Sequence, residues 1–164
     1  SYDLQYLPAH LQQAHRWDDL YELLTDFEYV DTKAQSDMVR ELADDFDAAA
    51  KHFPRDRDKK KTILTVLSRA VTGEIQFLLR HPDLLFQVCW NKGWWYDAPE
   101  TAKYVAVADY APEEGYQPPW ERGEPKVCTI LEEWKTKFEE YHHAKPWVKE
   151  LFPNRDIFSM KNEI

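Results

Sequence analysis

Trp90-Asn91-Lys92-Gly93-Trp94-Trp95-Tyr96-Asp97-Ala98-Pro99-Glu100 is a stretch that cannot stand as a solvated loop. Covering one large aromatic side chain is worth roughly 2–3 kcal/mol, so Trp94, Trp95 and Tyr96 either fill the chain's own core or await a neighbouring surface. Upstream, Leu84, Leu85, Val88 and Cys89 recur at helical spacing, which predicts a helix that Gly93 ends in a left-handed stop. Asp97-Ala98-Pro99-Glu100 then reads as a fresh helix start carrying Ala102, Val105, Ala106 and Tyr110.

The same periodicity extends in both directions. Before the quoted stretch, Ile63, Val66, Leu67, Ala70, Val71, Ile75, Phe77 and Leu78 predict the longest and most apolar helix, with Gly73 marking a close approach by another backbone and His81-Pro82-Asp83 ending it. Met38, Leu42, Phe46 and Ala49 form a stripe across residues 36–51, and Asp31, Asp44, Asp45 and Asp47 are expected to point away from it. Trp17, Leu20, Leu24 and Phe27 give another helix, preceded by a short one that begins at Pro8 and ends near His15. Residues 111–125 are too rich in proline and glycine for helix, yet Tyr116 and Trp120 mark them as a packed, ordered loop. The last clear helix runs from about Lys126 to His142 on Val127, Ile130, Leu131, Trp134, Phe138 and Tyr141. The expected fold is all-α, an irregular bundle or short array of about seven or eight helices over residues 1–153, with 111–125 as its loop and 154–164 as a C-terminal tail.

Composition narrows the function. A chain of 164 residues with 43% apolar content is about one domain, large enough to need no disulfide or metal staple. Its formal charge of −9 repels phosphates and argues against nucleic acid as a partner. Cys89 and Cys128 sit in apolar helical contexts, as buried thiols do, and no stretch approaches the length needed to cross a bilayer. The reading is a soluble, cytoplasmic protein, and Ser1 in place of an initiator Met fits a piece of a longer product.

Chemistry is sparse. There is no glycine-rich phosphate loop, so no nucleotide cofactor is expected. Glu139, His142 and His143 share a helical turn but lack a third ligand and the spacing of zinc proteases, and His at a helix end also suits the dipole. A hydrolase would require a cysteine–histidine pair, or a metal at His142 and His143, assembled by tertiary contact. Paired carboxylates such as Asp18-Asp19 and Glu132-Glu133 are neighbours along helices and do not face each other. Arg55, Arg57, Lys59, Lys60 and Lys61 make the basic cluster, whose lysines oppose the dipole of the helix they open; a partner carboxylate could offset that cost. Trp and Tyr are enriched at binding hot spots, so the candidate partner-binding residues are Trp94, Trp95, Tyr96 and Trp120 with Arg55 and Arg57; no catalytic, cofactor or metal residue is assigned.

Two blocks carry a family resemblance. Tyr6-Leu7-Pro8 through Leu11, Ala14, Arg16-Trp17, Leu20, Leu23-Leu24 and Asp26-Phe27 is one. His81-Pro82-Asp83-Leu84-Leu85-Phe86-Gln87 through Trp94-Trp95-Tyr96-Asp97, Pro118-Pro119-Trp120-Glu121, Trp134, Trp147 and Leu151 is the other. Together they resemble the helical region of signal-transducing NTPases of the NACHT and NB-ARC type. In relatives of the apoptotic protease-activating factor, this region lies between the ATPase and winged-helix modules and a WD-repeat propeller. His15 stands where the resemblance places glycine, in the first helix-to-helix turn. The resemblance implies a non-enzymatic arm that relays conformational change or mediates assembly, with adjacent ATPase or propeller domains, or an effector protein, as partners. A stand-alone module that grips a peptide or effector protein is the alternative.

Overall fold

The computed structural model describes residues 2–105, 114–142 and Trp147. Within them the chain is all-α: α1 (Tyr2–Gln13), α2 (Trp17–Leu24), α3 (Phe27–Gln35), α4 (Val39–His52), α5 (Asp58–Gly73), α6 (Ile75–Arg80), α7 (Leu85–Asp97) and α8 (Val127–Tyr141). Single 3-10 turns at Arg55–Arg57, Pro82–Leu84, Pro99–Lys103 and Pro119–Glu121 serve the joints. Helix α5 packs against both α4 and α7, and α7 packs in turn against α8. One core runs through all of them, from Leu11 in α1 to Phe138 in α8.

Helix α1 starts well before Pro8, which lies inside it and is buried. Proline has no N–H to give the carbonyl four residues back, here that of Leu4. The Tyr29 hydroxyl from α3 donates to that carbonyl at 2.8 Å, so a tertiary contact repairs the gap. The turn to α2 passes through His15 at φ +56°, the left-handed region that a glycine occupies without strain. A second break, at Thr25 and Asp26, separates α2 from α3, and the Asp26 carboxylate accepts the Glu28 N–H there. Phe27 thus opens α3 instead of closing α2.

Two glycines have roles opposite to those expected of them. Gly93 does not stop a helix; α7 runs through it to Asp97, and a Cβ there would stand 3.1 Å from Leu131 Cδ1 and Val127 Cγ1 of α8. The missing side chain is what lets α8 lie close. Gly73 meets nothing within 4 Å and is the last residue of α5, which breaks at Glu74 before α6 begins. Accordingly the predicted long helix is two.

The helix expected from Asp97 is absent over its described part. Ala98 is extended at ψ 137°, and Pro99–Lys103 forms a 3-10 turn held by the Thr101 hydroxyl on the Trp95 carbonyl at 2.6 Å. Ala106 and Tyr110 lie outside the described residues, as does the tail 154–164. Asp97 instead ends α7 and serves another helix. Its carboxylate accepts the Val127 N–H at 2.7 Å and the Cys128 N–H at 2.8 Å, the first two amides of α8.

Candidate interaction surface

The tryptophan-rich stretch is interior. Trp94, Trp95 and Tyr96 are each 4% exposed and Trp120 is 5% exposed, so the exposed aromatic patch expected from the sequence is not there. Helix α7 is apolar almost all round because it is enclosed by α5, α8 and the loop before α8. Trp90 and Trp94 stack at 5.5 Å, Trp95 meets Trp94 edge-on at 4.8 Å, and Trp94 Nε1 donates to Glu132 Oε1 at 3.0 Å. Trp147 closes the outer end, its ring edge-on to Trp90 at 5.0 Å and to Phe86 at 5.3 Å.

The basic cluster is largely consumed within the chain. Arg57 reaches Asp18 of α2 at 2.6 Å and Lys60 reaches the same carboxylate at 3.1 Å. The hydrogen bond from Lys60, with the charge of Arg57, holds the Asp18 carboxyl below its ordinary range. Lys61 donates to the carbonyls of Ala50, Lys51 and Phe53 at 2.6, 3.1 and 3.0 Å, placing a cation on the negative end of α4. Lys61, which opposes the dipole of its own helix, thereby complements that of another. Arg55, in the 3-10 turn before α5, is exposed.

Two acidic residues expected at the surface are drawn inward. Asp45 pairs with Lys33, whose side chain is fully buried, and burial pushes the Asp45 carboxyl up to about 6 in spite of that ammonium. Asp31 meets His142 Nε2 at 2.9 Å, tying α3 to the end of α8. His142 is therefore engaged by a carboxylate; His143 lies outside the described residues. Neither thiol is set up as a nucleophile: Cys89 is fully buried and Cys128 nearly so, and burial pushes both up to about 12. Among the described residues, no three or more His, Cys, Asp or Glu side chains converge as metal ligands.

Two of the cavities lined by described residues flank the segment before α8. The smaller, about 340 Å³, lies between the start of α5 and the loop 117–126. Its cations anchor that loop by carbonyls: Lys59 on Glu124 at 3.4 Å, Lys126 on Trp120 at 3.3 Å and Arg122 Nε on Gln117 at 3.0 Å. In a segment where Pro118, Pro119 and Pro125 supply no N–H, such side-chain donors take over from a backbone ladder. The larger is a groove of about 1000 Å³ between the α1–α2 hairpin and α8. Leu7, Leu11, Leu23, Ile130 and Trp134 contribute apolar surface to it, and Trp134 Nε1 donates to the Thr25 carbonyl at 2.7 Å.

None of the groove's residues was singled out for binding by sequence reasoning. A signal was available in Leu23, an apolar residue one position off the Leu20–Leu24 stripe. Comparison with known proteins gives one family: the model of the APAF-1 helical domain matches residues 1–88. No curated protein and no solved structure matches the chain significantly.

Proposed function

Because this chain belongs to the APAF-1 helical domain family, we propose that it is a non-enzymatic transducer in a signalling NTPase, linking a nucleotide switch to a sensor or mediating assembly. The family match over residues 1–88 carries this reading. The physical support is a core in which α3, α7 and α8 share rings: Phe27 lies 5.7 Å from Trp134 and 6.2 Å from Phe86, and Phe86 stacks on Phe138 at 4.7 Å. Close-packed interiors have low compressibility and transmit displacement, so a push on α1 is passed on as a rigid-body movement. The adjacent ATPase or propeller modules, or an effector protein, are the partners.

The test is an insertion in the intact NTPase. About six Gly and Ser residues placed after Gln13, in the exposed turn between α1 and α2, combined with Leu11→Ala and Tyr29→Phe to weaken the hold of α1 on the core and on α3, decouple α1. Nucleotide hydrolysis is expected to persist while its response to the activating stimulus is lost. An unchanged response would remove the relay role. The groove favours a second reading, a self-contained module that grips a peptide or effector protein, and a gene product with no ATPase attached would support it.

A further inference from the structure

We propose that the groove between the α1–α2 hairpin and α8 is the docking site for a basic amphipathic helix of a partner protein, one that sets leucine-sized anchors beside Lys or Arg. This rests on the interaction role proposed above and adds the chemistry of the occupant.

The geometry comes first. The groove is about 1000 Å³, open to solvent, and lies between α1 and α2 on one side and α8 on the other. Leu7 and Leu23 are half-buried in it with no further layer over them among the described residues, while Leu11 and Ile130, each 8% exposed, form deeper surface. Apolar surface lying between two helical elements is what the apolar face of a third helix covers.

Charge then selects among occupants. Five carboxylates line the groove against three cations. Arg16 and Asp19 pair at 2.8 Å and cancel, and the buried Lys126 turns to the Trp120 carbonyl, which leaves Lys137 against Glu22, Asp26, Glu124 and Glu133. Glu22 on α2 and Glu133 on α8 face the groove from opposite walls and have no ion-pair partner among the described residues. Burial first, then the charges of Glu22, Glu133 and Glu124, push the Tyr21 phenol up to about 12, so these carboxylates act on one point of the floor. A cationic segment relieves that field, whereas a second copy of this chain, carrying −9 and the same acidic rim, adds to it.

The probe is a phage-displayed library of helical peptides of about 16 residues, some four turns, selected against the full chain alone, with the selected peptides then measured on the Glu22→Lys/Glu133→Lys variant. Both substituted residues are exposed, and the variant's far-UV circular dichroism confirms that it folds. Selected peptides are expected to carry Lys or Arg flanking leucines at helical spacing, to bind the variant about tenfold or more weakly, and to weaken with added salt. Selection of neutral or acidic sequences, binding indifferent to the double substitution, recovery of no binders, or occupation of the groove by self-association seen in sedimentation would each overturn the proposal. Because this measurement involves no ATPase, it can fail while the relay survives its own insertion test, and the reverse.

Discussion

At the residue scale the decisive feature is Lys33, a charged side chain with no exposure, whose ammonium meets Asp45 of α4 and lies 5.8 Å from the Tyr29 ring centroid. Removing one member of a buried pair strands the other, so Lys33→Met is expected to cost about 3–5 kcal/mol in urea denaturation. The double variant Lys33→Met/Asp45→Leu should recover most of that, because an apolar replacement of the whole pair strands nothing. The pair also predicts a pH dependence. With its carboxyl raised from 3.8 to about 6 by burial, folded Asp45 holds its proton more tightly than the unfolded chain does. Its contribution is therefore greatest below about pH 4, falls as pH rises through about 6, and is flat above. The stability of the wild type relative to Asp45→Asn should decline over that window and then level off. A difference that stays constant from about pH 4 to 7 contradicts the assignment. Sequence reasoning placed Asp45 at the surface because a helical wheel shows which residues leave one stripe, and cannot show that a buried lysine waits on the neighbouring helix.

At the scale of elements, helices were legible wherever apolar residues repeat at three and four, as they do in α4 and α8, and least legible at their ends. Gly73 and Gly93 show why. Both are single glycines in apolar helical runs; one meets open space and the other meets Leu131 and Val127. Gly73→Ala is expected to stabilise the fold by about 0.5–1 kcal/mol through helix propensity. At Gly93 the same gain is outweighed by a Cβ wedged at 3.1 Å against two side chains of α8, so Gly93→Ala should destabilise by about 1 kcal/mol. Thermal unfolding of the two variants gives shifts of opposite sign, and a stabilising Gly93→Ala would mean that α8 yields freely. Asp97 illustrates the same limit: it looks like a helix start beside Pro99, but the amides it serves belong to a helix that begins thirty residues later.

At the scale of the whole molecule, the family match ends at residue 88, in the first turn of α7, yet the core does not stop there. Trp134 of α8 packs on Phe27 and donates to Thr25, so the matched helices and those beyond them share side chains. Unfolding in urea should accordingly be one transition, with far-UV circular dichroism and tryptophan fluorescence coincident. Trp134→Phe, which strips the Thr25 carbonyl of its donor, should lower both together by about 2 kcal/mol. Two separated transitions would mean that residues 1–88 fold independently of α8. The sequence by itself determined an all-α chain, its main apolar stripes and its family resemblance, because helical periodicity and turn chemistry are local properties. Only the tertiary structure decided that the tryptophans lie inside, that the basic cluster serves α2 and α4, and that the open groove is acidic. Each of those depends on which faces meet, and facing surfaces come from residues far apart in the chain.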